Sequence, residues 1–279
     1  SCWSVAFVGA EAVRASSLNR FAKTFECCGF SKSSFLPCYG LAEATLMVSG
    51  DRISDLRTVS ISDAPVSTEA PGHQLEGGSQ SANSKKNLVD LVPNGTPVDD
   101  LDIRIVDPET RRECPREQVG EIWVAGPSVA NGYWNRTKET KETFGATLVQ
   151  NSDPESNQVE RSFLRTGDLG SIQNGEIVIC GRIKDLIVIR GQNFYPPDLE
   201  RCLEEEVPGS VEQSTAVFSV EDDHAERLIV LFETRKAIGN QGNSERLQMI
   251  RAVISHHYSI QVQTIVGVKT GSLPRTTSG

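Results

Sequence analysis

The sequence predicts a mixed architecture in three successive parts: a parallel α/β segment, a small antiparallel β subdomain and a compact α+β tail. Three observations predict it. Residues 1–50 alternate strand-like apolar runs with helix-favouring stretches, the signature of a parallel sheet. Residues 98–182 carry short apolar runs bounded by glycines, as antiparallel strands do. Residues 184–279 return to longer strand and helix patterns in the order β-α-β-β-α-β.

Each element follows from its residues. "SVAFV" (4–8) reads as a buried strand that Gly9 ends, and a helix pattern runs on through Leu18, Phe21 and Phe25. "SFLPCYG" (34–40) reads as a second strand, and "LAEATLMV" after Gly40 favours helix at its start. Residues 65–87 are rich in Pro, Gly, Ser and Asn, and such a stretch cannot offset its ordering entropy by burial, so a loop or loosely packed insertion is expected. "LDIRIVD", "GEIWVAG" and "GEIVICG" supply the antiparallel strands. In the tail "DLIVIRG" is a strand. "YPPDLERCLEEEV" is a helix whose prolines fall where no amide donor is missed. Leu199, Cys202, Leu203 and Val207 form its apolar stripe. "STAVFSV" and "RLIVLFET" are strands, "ERLQMIRAVISHHY" is a helix with Leu247, Ile250, Val253 and Ile254 on one face, and "TIVGV" is a last strand.

Composition excludes several classes. The net charge of −9 and the lack of a Lys/Arg cluster argue against nucleic acid. No apolar run approaches the ~18 residues of a membrane span. The seven cysteines show no metal or redox spacing and read as reduced thiols of a cytoplasmic protein. None of the four histidines is placed like a catalytic base.

Three stretches carry chemistry. In "YGLAE" a tyrosine leaves a strand, a glycine turns the chain, and Glu43 sits at a helix start. The ring can stack on a flat base, and the carboxylate can hold Mg²⁺ against a phosphate, although an ordinary strand-to-helix turn has the same pattern. In "RTGDLG" Asp168 stands between two glycines and reads as exposed on a tight turn. There it can accept hydrogen bonds from vicinal hydroxyls, and a structural β-turn is the alternative. In "GRIKDLIVIRGQNFYPPDLE" Arg182 can fork a phosphate or ribose oxygen, and Lys184 falls where a hinge between domains would lie. A charged linker is the plain alternative.

In this order and spacing, and together with "FVGAEAV" (7–13) and "GEIWVAGPSVANGYWN" (120–135), these stretches resemble the adenylate-forming superfamily. Within it the chain most resembles the fatty-acyl-AMP ligases. Ala42 stands where most acyl-CoA synthetases carry Thr, "RGQNFYPPDLE" matches the ligase form of the tail loop, and the polar stretch lies where these ligases carry an insertion. The resemblance implies four parts. Residues 1–50 would be a remnant of the large N-terminal domain, 51–92 the ligase-type insertion, 93–183 a β subdomain of the large domain, and 184–279 a mobile C-terminal α+β domain.

It also implies an activity: ATP- and Mg²⁺-dependent conversion of a fatty acid to acyl-adenylate. The acyl group would pass to an acyl carrier protein, within a polyketide or nonribosomal peptide synthase system. Gly9, Ala10 and Glu11 would line the adenine pocket, with Tyr39, Gly40, Leu41 and Ala42 beside them and Tyr39 stacking on the base. Glu43 would ligate Mg²⁺, Asp168 would bind the ribose with Arg182 nearby, Lys184 would be the pivot of the tail domain, and Gly191 would approach the pantetheine arm. Val8 departs from the family's usual Asn before "GAE". The family's phosphate loop is expected upstream and its adenylation lysine directly after "LPRTTSG", so the 279 residues alone are expected to be inactive in adenylation. A long-chain acyl-CoA synthetase and a non-catalytic adenylate-binding regulatory domain are the alternatives.

Overall fold

The computed structural model describes residues 3–10, 12–53, 56–61, 89–149, 161–190, 192–208, 214–222, 225–234 and 241–274. They fall into two compact units, one ending at Ile183 and the other beginning at Lys184.

The first unit opens with β1 (Ala6–Val8), α1 (Ala15–Phe25), β2 (Phe35–Leu41) and β3 (Leu46–Gly50). β1 and β2 pair in parallel, Val8 opposite Pro37, with α1 as the crossover. Helix α1 buries Leu18 and Ala22 against Val13, Phe30 and Phe35. Phe21, Phe30 and Phe35 meet edge to face, the Phe30 and Phe35 centroids 5.0 Å apart. The helix expected after Gly40 does not form. Ala42–Ala44 make one 3₁₀ turn, Thr45 and Leu46 take left-handed backbone (φ 54° and 83°), and "LMVSG" returns antiparallel to β2. Thr45 and Leu46 thus reverse the chain before the helix-favouring start can propagate, since one turn is too short to be stable alone. Gly40 is required by this return, because a Cβ there would lie 1.5 Å from the Leu46 carbonyl oxygen.

β4 (Val59–Ile61) pairs antiparallel with β5 (Val89–Leu91), and Ile53 and Leu56 pack beside the α1 cluster. The polar stretch 65–87 lies outside the described residues. β6 (Asp102–Val106), β7 (Gly120–Ala125), α2 (Thr137–Phe144), β8 (Leu164–Gln173) and β9 (Glu176–Arg182) follow. The four strands form an antiparallel sheet in the order β6-β7-β8-β9. β7 is buried at every residue and supplies Ile122, Trp123 and Val124 to the core. Asn174–Gly175 closes the β8–β9 hairpin with φ 53° and 84°, as a two-residue primed turn demands.

The second unit contains β10 (Ile187–Ile189), β11 (Gln192–Phe194), α3 (Pro196–Glu206), β12 (Thr215–Asp222), β13 (Ala225–Thr234), α4 (Gln241–Tyr258) and β14 (Val262–Lys269). β12 and β13 pair antiparallel, and β13 and β14 in parallel. Leu199 and Leu203 of α3, Val207 after it, and Ile250, Val253 and Ile254 of α4 pack against Val217, Leu228, Val230 and Phe232 of the sheet. The short hairpin β10–β11 adds Ile187 and Phe194. Among the described residues no helix is long and apolar enough to cross a membrane.

Candidate functional site

Asp168 lies within strand β8, and this corrects the reading of "RTGDLG" as an exposed turn. Gly167 kinks the strand with φ 72° and the register shifts between Leu169 and Gly170, so two glycines that mark turns elsewhere here mark an irregular strand. The residue is only 6% exposed. Its Oδ2 accepts a 2.7 Å hydrogen bond from the Tyr39 hydroxyl, and its Oδ1 accepts one of 3.0 Å from Arg182 Nε on the neighbouring strand β9. Burial pushes the Asp168 carboxyl above its ordinary value. The hydrogen bond from Tyr39 and the Arg182 guanidinium pull it back, and the charge of Glu43 adds a smaller rise.

Tyr39 is buried among Ala44, Val48, Ile122, Leu164 and Ile179. Burial, then the Asp168 charge, holds its phenol protonated well above the ordinary tyrosine range, so it acts as a donor. Arg182 differs: its side chain is 68% exposed and reaches back to a buried carboxylate.

Glu43 sits half-buried in the 3₁₀ turn after β2. Its Oε1 accepts a 2.7 Å hydrogen bond from the Tyr133 hydroxyl, whose pKa is pushed up to about 12 by partial burial and by that bond. The Ala130 amide donates to the Glu43 carbonyl (2.8 Å), and Thr45 Oγ1 donates to the Ser128 carbonyl (2.6 Å). The loop "GPSVANGYW" is thereby stapled to the Glu43 turn. Leu41 ends β2, half-buried, and Ala42 is exposed.

Gly9 and Ala10 leave β1 at its carboxyl edge. A Cβ at Gly9 would lie 2.6 Å from the Cys38 carbonyl oxygen, so the chain passes directly over β2 one residue before Tyr39. Ala10 takes φ 72°. Lys184 is exposed in the turn Ile183–Asp185 that opens the second unit. Glu11 and Gly191 lie outside the described residues. Tyr39, Glu43, Asp168 and Arg182 therefore share one neighbourhood at the carboxyl edge of β1 and β2.

Several residues at this edge escaped sequence reading. Glu121, 2% exposed, accepts hydrogen bonds from Trp123 Nε1 (2.9 Å), Arg165 Nε (2.9 Å) and the Gly167 amide (3.2 Å). Asn94, buried in the "VPNG" stretch, donates to the Cys38 carbonyl at 3.1 Å and accepts on its own carbonyl from Ser49 Oγ. Tyr133 carried only its place in "NGYWN". A buried Glu two residues before a buried Trp was the one local signal. In the second unit Cys202 and Glu206 of α3 and His257 of α4 bring ligand-type atoms within 4.8 Å of one another, which no sequence spacing showed. Glu206 and His257 are already 2.7 Å apart as a side-chain pair.

The chain is similar to known proteins. The AMP-binding enzyme family matches residues 1–134. A medium-chain-fatty-acid–[acyl-carrier-protein] ligase, JamA, of Moorena producens is 39% identical over 100% of this chain and 45% of its own length. A 4-hydroxyphenylalkanoate adenylyltransferase of Mycobacterium tuberculosis is 38% identical over 97% of this chain and 42% of its own. Among solved structures, one from a study of fatty acyl-adenylate ligases from E. coli and L. pneumophila superposes with a TM-score of 0.76 at 27% identity, covering 100% of this chain and 46% of that one. The chain spans a little under half the length of the curated relatives it matches.

Proposed function

We propose that this chain, which belongs to the adenylate-forming AMP-binding enzymes, is part of a fatty-acyl-AMP ligase that delivers its acyl group to a carrier protein. The observation that carries the reading is the joined set Tyr39–Asp168–Arg182 at the carboxyl edge of a parallel strand pair, with Glu43 close enough for its charge to act on Asp168. Open α/β sheets bind ligands at that edge.

The geometry supports the roles that the resemblance implies. Asp168 is a desolvated carboxylate already receiving two donors, and carboxylate oxygens accept further ones, so ribose hydroxyls can join or replace Arg182. Arg182 is exposed enough to turn onto a phosphate or ribose oxygen. Tyr39 fixes Asp168 through its hydroxyl and offers the base what little of its ring stays open. Gly9 and Ala10 supply a close-lying backbone wall. Glu43, a hard oxygen donor with one oxygen engaged by a phenol, fits a Mg²⁺ ion that keeps most of its waters. When bound, that ion would neutralise phosphate charge. Lys184 would be the pivot about which the second unit reorients between adenylation and acyl transfer. The carrier acceptor is supported by relatives named as acyl-carrier-protein ligases. Such carriers belong to polyketide or nonribosomal peptide synthase systems, and the cytoplasm supplies ATP.

The test uses the parent protein with Mg-ATP and medium- or long-chain fatty acids, offering coenzyme A and phosphopantetheinylated carrier protein in parallel. Pyrophosphate release with acylation of the carrier alone is expected. Efficient acyl-CoA formation would reassign the acceptor, and no pyrophosphate with any acid would remove the ligase reading.

A further inference from the structure

Asp168 cannot take its position by itself. It follows a left-handed glycine, and a Cβ at Gly167 would meet nothing within 4 Å, so the glycine is there for its φ of 72° and not for lack of space. A lone left-handed residue inside a strand persists only where its surroundings over-determine it. Here they do. Arg165 places Nη2 2.8 Å from Glu121 Oε2 and its guanidinium over the Trp123 ring, 5.7 Å from the centroid. Thr166 Oγ1 donates to the Ile122 carbonyl (2.7 Å) and accepts from the Asp168 amide (3.1 Å). The Gly167 amide donates to Glu121 Oε1 (3.2 Å). Residues 165–167 are thus each tied to β7 immediately before Asp168, and Glu121 is the group common to Arg165 and Gly167.

A buried, unreactive carboxylate is an expensive way to hold a strand. A buried ion pair is often no more stable than well-packed apolar residues of the same volume, whereas breaking one by removing a single partner is strongly destabilising. The Glu121–Arg165 pair therefore earns little stability, yet it spends one carboxylate oxygen on a backbone amide beside Asp168. We propose that Glu121 is a positioning residue for Asp168: it holds the Gly167 kink and so sets where the Asp168 carboxylate points. This rests on the nucleotide-binding reading of Asp168.

Two variants separate aim from stability. Glu121→Leu with Arg165→Met removes both charges together and keeps the volume. It is expected to melt somewhat below the wild type, because the buried Trp123 Nε1 loses its acceptor, but to stay folded and to bind dodecanoyl-sulfamoyl adenosine, a stable acyl-adenylate analogue, at least about tenfold more weakly by calorimetry, because nothing then holds the Gly167 amide. Glu121→Gln keeps an acceptor for Gly167 but turns an amide toward Arg165. It is expected to melt lower and, at a temperature where it is folded, to bind within about threefold of the wild type. A double variant that folds and binds like the wild type overturns the proposal. Should the double variant fail to fold, the Gln variant decides: near-normal binding by its folded fraction supports the role, and loss of binding there overturns it. A ligand-free readout keeps the two readings apart. The Asp168 carboxyl, followed by carbon-13 NMR, is expected to titrate closer to the ordinary carboxylate value once its kink is loosened in the double variant. Tyr39, Arg182 and Glu43 are the ionisable groups acting on it. If the wild-type chain does not bind the analogue, the nucleotide reading fails, and this titration still decides the positioning role: an unchanged value in a folded double variant overturns it.

Discussion

The two units use half-buried and buried carboxylates differently. In the second unit Glu200 accepts from the Val217 amide (2.9 Å), Glu204 from the Ser214 amide (3.2 Å) and Glu233 from the Leu273 amide (3.0 Å). Each clamps backbone to backbone around an apolar core. In the first unit Asp168 meets a phenol and a guanidinium, and Glu121 meets an indole, a guanidinium and only one amide. A carboxylate bound to backbone amides is fixed with the fold. One bound to side chains can exchange a partner for a ligand, and Asp168 has an exposed partner to exchange. On the proposed reading, the amide-bound carboxylates of the second unit serve the architecture, and Asp168 serves a site at the cost of desolvation.

The largest effect that would sharpen this contrast is a core truncation in the second unit. Leu199 is fully buried between α3 and the sheet. Leu199→Ala should destabilise that unit by about 2–5 kcal/mol, from lost transfer energy and the cavity left behind. All three tryptophans, Trp3, Trp123 and Trp134, precede Lys184. Tryptophan fluorescence therefore reports the first unit alone, and its urea midpoint should stay put while the circular-dichroism midpoint of the rest drops. A fluorescence midpoint that falls in step would show that the units unfold as one, and the contrast would then lie within one cooperative body.

How legible this was in the sequence follows the same division. The second unit is built by period and length: the α3 stripe Leu199, Leu203 and Val207 and the α4 face Ile250, Val253 and Ile254 are where 3.6-residue spacing puts them. The first unit defeats local rules wherever it builds the site. "LAEATLMV" favours helix locally, but left-handed Thr45 and Leu46 fold it back as β3. "RTGDLG" has turn composition but runs inside β8, because cross-strand pairing with β7 and β9 outweighs the preference of two glycines. Asp168, Arg182 and Glu43 were visible through motif order. Their partners were not: Tyr39 and Asp168 are 129 residues apart in sequence, and Glu43 and Tyr133 are 90 apart. The Glu121 network gave no sign beyond one acidic residue in an apolar strand.

A middle-sized effect concerns Asp168, the carboxylate proposed to meet the ribose. Asp168→Asn keeps the shape and an acceptor oxygen but removes the charge. Adenylate-analogue binding should weaken by roughly 1.5–3 kcal/mol, the range for a hydrogen bond to a charged group. Stability should move the other way. Burial raises the Asp168 carboxyl, so the native state keeps this proton to higher pH than the unfolded chain does. The stabilisation linked to that proton is complete below the unfolded value, about 3.9, and is lost as pH rises through the native value. The Asn variant has no such proton to lose. Its melting temperature relative to the wild type should therefore climb as pH rises through that window and stay level or higher at neutral pH. A variant that melts well below the wild type at neutral pH would make Asp168 a structural clamp like Glu233, and the contrast would collapse.

The smallest effect tests the edge of the site. Tyr133 is 37% exposed and donates to Glu43 at 2.7 Å. Tyr133→Phe removes that one donor and keeps the ring against Phe144, 5.1 Å away between centroids. The cost to stability should be about 0.5–1.5 kcal/mol and toward the low end, because water can reach a half-exposed pair. Its pH dependence identifies the bond. The phenol is held up to about 12, above an unfolded tyrosine near 10, so its contribution should be constant below about pH 10 and vanish between there and about 12. The difference in stability between wild type and variant, measured by urea titration, isolates this slope from those of the other tyrosines. Magnesium supplies the functional half. If Glu43 is a ligand that Tyr133 holds in place, the Phe variant should need more Mg²⁺ for half-maximal nucleotide binding, with nucleotide affinity at saturating Mg²⁺ little changed. A variant with unaltered Mg²⁺ dependence but the expected loss of stability would leave the Tyr133–Glu43 bond as a staple between the β2 turn and its neighbouring loop. Such a bond would be a structural clamp of the second unit's kind inside the first.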